Sequence, residues 1–74
     1  MAAGFVHTVN KQGNWLNEIE GQNELTGHFI TKEAAVAAGR QEAIRRKTEH
    51  VIHNQDGSIA ERNSYGNDLV NRPG

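Results

Sequence analysis

The fold is decided by the stretch Val51-Ile52-His53-Asn54-Gln55-Asp56-Gly57-Ser58-Ile59-Ala60. Two short apolar runs flank a polar four-residue segment, which is the pattern of a β-hairpin. Asp-Gly at the end of this loop indicates a type I turn with Gly57 in the left-handed conformation and a bulge beside it. We therefore predict paired antiparallel strands at residues 51–53 and 58–60.

A second hairpin is predicted near the start of the chain. Residues 5–9 and 15–20 alternate in the manner of half-buried strands, and Gly13 supplies the positive φ of the turn between them. Val6 and Thr8 are predicted to share one face of the first strand, opposite Phe5, His7 and Val9. Trp15 and Ile19 share a face with Asn17, which is a poor core residue, and Trp15 is assigned to the core. Residues 25–30 are a candidate for a short further strand, although Gly27 weakens it.

One helix is predicted between the hairpins, from Lys32 to Lys47. Thr31 is a good N-cap for it, and an alanine-rich run follows. The buried stripe is predicted to contain Val36, Gly39, Arg40 and Ala43, with Ala35 and Ile44 at its margins. Glycine within a helix costs about 1 kcal/mol relative to alanine, so we interpret Gly39 as a site of close helix–sheet packing.

These elements give the order β-β-(β)-α-β-β. The fold class is therefore α+β: a small antiparallel sheet of four to five strands with one helix packed on one face. A chain of 74 residues has room for one domain. Residues 1–62 hold the predicted elements, and residues 63–74 form a polar tail that we expect to dock on the domain.

Composition narrows the classes of protein further. Hydrophobic residues are 35% and aromatic residues 5% of the chain, so the core is thin, which is compatible with a monomer or a homodimer. The chain has no cysteine, which excludes disulfides and thiolate metal sites and favours the cytoplasm. No apolar run reaches the roughly 20 residues that span a bilayer, and the N-terminus does not resemble a signal peptide.

Several stretches together resemble one family. They are His7-Thr8-Val9, Gly13-Asn14-Trp15, Thr31-Lys32-Glu33-Ala34-Ala35-Val36, the hairpin Val51 to Ile59 and Ser64-Tyr65-Gly66-Asn67-Asp68. The chain resembles the small bacterial and phage proteins of domain-of-unknown-function family 2188. The resemblance implies a fold class and a prokaryotic or phage setting, and it implies no activity.

A basic helix end is the basis of one functional alternative. Nucleic-acid backbone binding would use a set of cations on the predicted helix: Lys32, Arg40, Arg45, Arg46 and Lys47. About five phosphate contacts of this kind would make binding strongly salt-dependent. Interleaved acids and a net charge of −1 count against this function. A solvated helix face with basic residues at its C-terminal end is the simpler interpretation.

Metal binding and catalysis are weaker alternatives. His7 and His53 can meet on one sheet face if their strands are neighbours, whereas His50 and His53 point to opposite faces. Zinc needs at least three protein ligands, which here would require one of Glu18, Glu20 or Asp56. Ser64 lies downstream of His53, but no nucleophile-elbow pattern surrounds it, and we interpret it as a turn residue. We therefore expect no enzymatic activity, no metal and no cofactor.

The best function class is a non-enzymatic binding module, for example a bacterial or phage regulator, with a protein partner and no membrane association. Edge strands of a small sheet are a ready surface for strand addition or self-association. The candidate binding residues are Tyr65, Asn67, Asp68, Arg45 and Arg46. Tyr65 either pins the tail to the sheet or anchors an interface, and we favour pinning.

Overall fold

The computed structural model describes residues 4–22, 24–25 and 27–66, which form a four-stranded sheet with one helix on one face. The elements in chain order are β1 (Val6–Lys11), β2 (Asn14–Ile19), α1 (Lys32–Arg46), β3 (Glu49–His53) and β4 (Ile59–Ser64). In the sheet, the strands lie in the order β2-β1-β3-β4. The predicted α+β fold with a single helix packed on a small sheet is confirmed.

The sheet is mixed, which corrects one detail of the predicted pairing. Both hairpins are antiparallel as predicted, but β1 and β3 pair in parallel, with Val6 opposite His50 and Thr8 opposite Ile52. Local turn signals fix only the pairing of strands that follow each other in sequence. Here β2 and α1 together form the long crossover that a parallel pair requires, and the chain re-enters the sheet beside β1.

The first hairpin has a tight two-residue turn. Gln12 and Gly13 have φ values of 54° and 89°, so both central residues are left-handed, as in a type I′ turn. The prediction of positive φ at Gly13 is confirmed. This turn twists in the same sense as the flanking strands, which is why it suits a hairpin of this length.

The second hairpin contains the predicted left-handed glycine, and a bulge in the ladder lies three residues after it. Gly57 has φ 97°, and its N–H donates to the Asn54 carbonyl at 2.9 Å. His53 pairs with Ile59 whereas Ile52 pairs with Glu61, so Ala60 is the extra residue of the bulge. The strand β4 then continues to Ser64, two residues into the segment that was assigned to the tail.

The candidate strand at residues 25–30 is present only as isolated bridges along the outer side of β2. Trp15 and Phe29 exchange backbone hydrogen bonds of 2.9 and 2.7 Å, and the Leu25 N–H donates to the Asn17 carbonyl at 2.9 Å. These contacts satisfy outward-facing backbone groups of β2. One edge of the sheet is therefore partly covered.

The helix begins and ends with well-formed caps. The Thr31 hydroxyl accepts a hydrogen bond from the Ala34 N–H at 3.2 Å, and Lys47 terminates the helix in the left-handed conformation. The buried positions are spaced by four residues: Ala35, Gly39 and Ala43. Arg40 is exposed, so its assignment to the buried stripe is wrong. Ala35, which was predicted to lie at the margin of the stripe, belongs to it together with Gly39 and Ala43.

The apolar core lies mainly between the helix and the sheet and is small. Val6, Ile19 and Ala43 form its centre, and Leu25 and Tyr65 pack against them. Tyr65, the first residue after β4, is half-buried against this core. Trp15, which was assigned to the core, is only half-buried at its margin.

Candidate functional site

A buried polar cluster lies directly beneath Gly39. Thr8, Asn17 and His50 face the helix from three adjacent strands and are at most 3% exposed. The Thr8 hydroxyl lies 2.5 Å from Asn17 Oδ1 and 2.7 Å from His50 Nε2, and Asn17 Nδ2 donates to the Ala35 carbonyl at 3.1 Å. These bonds explain how Asn17 tolerates a core position.

The donors and acceptors of this cluster determine which atom carries each proton. Because the amide oxygen of Asn17 only accepts, the Thr8 hydroxyl donates to it and accepts from His50 Nε2–H. Burial, with smaller contributions from the positive charge of Arg40 and from His7, lowers the pKa of His50 to about 4. His50 is therefore a neutral structural residue at pH 7, enclosed by the fold and inaccessible to a ligand.

A pair of histidines lies on the opposite, helix-free face of the sheet. His7 and His53 meet there, as predicted for neighbouring strands, with His7 Nδ1 3.0 Å from His53 Nε2. His7 Nε2–H donates to Glu20 at 3.2 Å, and His53 Nδ1–H donates to the Gly57 carbonyl at 3.1 Å. All four ring nitrogens of the two histidines therefore have a hydrogen-bond partner within the described residues.

The side chains that were considered as further metal ligands are engaged elsewhere. Glu18 pairs with Lys11 at 2.5 Å, and Glu20 binds the outer nitrogen of His7. The backbone N–H and hydroxyl of Ser58 both donate to Asp56, which lowers the pKa of that carboxyl. Within residues 4–22, 24–25 and 27–66, no group of three or more His, Asp or Glu side chains is arranged to hold a metal ion.

Ser64 and His53 do not form a nucleophile–base pair. Ser64 pairs with Glu49 at one end of the β3–β4 ladder, and His53 pairs with Ile59 at the other end. At roughly 3.3 Å per residue, the two side chains are separated by most of the length of the strand.

The basic end of the helix is partly neutralised by its own acid. Arg45 and Arg46 both donate to Glu42, three and four positions earlier, and these hydrogen bonds lower the pKa of Glu42. Lys32 lies at the other end of the helix, with its ammonium 5.6 Å from the centre of the Trp15 ring. The residues proposed for phosphate contact therefore do not form one continuous basic surface.

The first residues of the tail lie beside the C-terminal end of the helix. The Tyr65 N–H donates to the Thr48 carbonyl at 3.2 Å, and a Cβ on Gly66 would lie 3.1 Å from the Lys47 carbonyl. The fold thus brings Tyr65 to the same end of the molecule as Arg45 and Arg46. Asn67 and Asp68, the remaining candidate binding residues, lie outside the described residues.

The strand β4 is the more open edge of the sheet. Residues 59–62 and Ser64 are exposed, and Ile59 keeps 55% of its surface accessible. The Tyr65 N–H points inward, to the carbonyl of Thr48 just before β3, and the direction alternates along an antiparallel strand. The backbone groups of Arg62 and Ser64 therefore point outward. In the described part of the chain, no backbone hydrogen bond reaches these outward groups.

The sequence analysis did not predict two of these features, the buried polar cluster and the identity of the open edge strand. The buried cluster was missed although Asn17 alternates with Trp15 and Ile19 and therefore had to face the core. The identity of the open edge was missed because it depends on the parallel pairing of β1 and β3. The pairing of Arg45 and Arg46 with Glu42 was readable from their spacing of three and four residues.

Comparisons with known proteins identify one family. A family model described as "Uncharacterized protein conserved in bacteria (DUF2188)" matches residues 6–65. No curated protein and no solved structure shows a significant match. In the described residues, no helix is long and apolar enough to cross a membrane.

Proposed function

This chain belongs to the bacterial protein family DUF2188, and we propose that it is a non-enzymatic binding module that takes an extended segment of a protein partner at the outer edge of β4. The segment would add a strand to the sheet and pair with the outward backbone groups of Arg62 and Ser64. We place the module in the bacterial cytoplasm, where a small domain without disulfides is ordinary.

The observation that carries this proposal is the difference between the two edges of the sheet. The outer side of β2 is partly occupied by Leu25 and Phe29, whereas β4 offers unpaired backbone groups in the described part of the chain. An exposed strand edge is a template for another strand because its N–H and C=O groups lack partners other than water. Apart from Ile59, the side chains of β4 add little apolar surface, so affinity would come chiefly from the main chain.

Nucleic-acid binding through the basic helix end has less support. Glu42 offsets one of the two positive charges of Arg45 and Arg46, and Lys32 lies on the Trp15 ring at the far end of the helix. A phosphate backbone would compete with the Glu42 carboxylate for these two guanidinium groups. The net charge of −1 adds no general attraction for a polyanion.

A backbone-specific substitution tests the proposal. Arg62→Pro removes an outward N–H and leaves the inward hydrogen bonds of β4 in place, since proline is tolerated at strand edges. Arg62→Ala is the matched control, because it removes the side chain and keeps the N–H. Each variant is first checked for native stability by urea unfolding and then used as tagged bait in a lysate of the native host, with and without nuclease.

We expect wild type and Arg62→Ala to retain the same protein and Arg62→Pro to lose it, with no effect of nuclease. Capture that survives Arg62→Pro would show that the β4 backbone is not the binding edge. Capture that disappears with nuclease or falls steeply with salt would support the nucleic-acid alternative instead.

A further inference from the structure

We infer that the strand that adds to β4 is the β4 strand of a second copy of this chain, paired antiparallel about a two-fold axis at Asn63. This inference rests on the proposed use of the β4 edge and names its occupant. It follows from the order of side chains along β4, taken with the symmetry of a two-fold pair.

Symmetry restricts the possible registers. In a two-fold antiparallel pair of edges, each residue and its opposite residue lie on the same face of the combined sheet. In β4, Glu61 and Asn63 lie on the helix side, whereas Arg62 and Ser64 lie on the helix-free side, as their partners Ile52, His50, Val51 and Glu49 show. The axis must therefore lie midway between one residue and the same residue of the second copy, which are then directly opposite each other.

Charge selects among these registers. An axis at Glu61 places two carboxylates opposite each other. An axis at Arg62 places two guanidinium groups opposite each other, each with a half-buried Glu49 carboxylate 3.7 Å away that offsets it in part. Like charges directly opposite each other destabilise a strand pair. An axis at Asn63 places two amides opposite each other, which can hydrogen-bond, and pairs Arg62 with Ser64 on each side. No like charges are then directly opposed.

Backbone geometry agrees with the Asn63 register. Arg62 and Ser64 are the residues with outward N–H and C=O groups, so each Arg62–Ser64 pair exchanges backbone hydrogen bonds. An axis at Ser64 would need residues 65 and 66 to continue the edge. The strand ends at Ser64, and Tyr65 and Gly66 turn to the core and to Lys47. The Ala60 bulge lies outside the paired segment.

The absence of cysteine in the sequence gives a direct test, because a single introduced thiol can only cross-link two copies. Asn63 would face its copy in a non-hydrogen-bonded pair, with Cα atoms about 4.5 Å apart, which is within the range of a disulfide. Glu61→Cys is the matched control on the same face, since Glu61 would lie four residues out of register with its copy.

We expect Asn63→Cys to form disulfide-linked dimers under mild oxidation at least tenfold faster than Glu61→Cys. Sedimentation equilibrium of the wild type should show a dimer whose population grows with concentration, unchanged in Arg62→Ala and lost in Arg62→Pro. Faster cross-linking of Glu61→Cys would overturn the register.

A wild type that stays monomeric up to about 1 mM, with slow cross-linking of both cysteine variants, would overturn the second copy as the occupant. That outcome leaves the proposed function to its own test, because loss of a captured host protein in Arg62→Pro would still locate binding at the β4 edge. Retained capture in Arg62→Pro would instead show that the proposed function is wrong.

Discussion

Gly39→Ala should destabilise the protein, although alanine is the better helix former. A Cβ at this position would lie 2.5 Å from Asn17 Oδ1, 2.7 Å from His50 Nε2 and 2.8 Å from Thr8 Oγ1. Helix propensity favours the variant by about 1 kcal/mol. Overpacking costs about 1–3 kcal/mol, and disturbing the hydrogen bonds of a buried cluster costs a similar amount. We expect a net loss of about 3 kcal/mol in the free energy of unfolding.

Urea unfolding followed by circular dichroism measures this change, with the slope of the transition compared to confirm that the same surface is exposed. Ala37→Gly, on the exposed side of the same helix, is the matched control and should cost about 1 kcal/mol from propensity alone. A Gly39→Ala variant as stable as the wild type would mean that the helix does not lie this close to the sheet. A more stable variant would refute the packing argument altogether.

Three further predictions concern stability. Thr8→Val keeps the shape of the side chain but leaves Asn17 Oδ1 and His50 Nε2 unpaired, so chemical unfolding should show a loss of about 2–3 kcal/mol; a change near zero would mean that water replaces the hydroxyl. Gly57→Val should cost more than about 1 kcal/mol, because a β-branched residue resists φ near 97°, and Gln55→Val in the same loop should cost less than half as much; equal losses would mean that φ at Gly57 is not the cause. Lowering the pH from 7 to 5 should remove about 2 kcal/mol of stability through His50, because the unfolded imidazole takes up a proton near pH 6.5 and the folded one only near pH 4. A flat profile between pH 7 and 5 would contradict a buried neutral His50.

The parts of the fold that sequence predicted are those with local signals. The Asp-Gly loop, Gly13 and the Thr31 cap each act within a few residues, and each element that they delimit is present. The parallel pairing of β1 with β3 joins residues more than 40 positions apart, for which the sequence carries no local signal. The same limitation hid the identity of the open edge strand.

The candidate binding residues illustrate a second limitation. Arg45 and Arg46 were singled out by charge, but charge alone does not show that Glu42 already holds both guanidinium groups. Asn17 was judged a poor core residue from its polarity alone. Its partners, the Thr8 hydroxyl and the Ala35 carbonyl, become its neighbours only after folding. The meeting of His7 and His53 was predicted conditionally, and the strand order satisfies the condition.

The cluster beneath Gly39 has a consequence for how the two halves of the chain assemble. Each hairpin is specified by its own turn, and within the sheet the two hairpins pair through β1 and β3. A slip of one residue there would turn Thr8 away from the helix, and a slip of two would carry its hydroxyl out of reach of His50. The hydrogen bond between Thr8 and His50 therefore favours the observed alignment of the two hairpins over a slipped one.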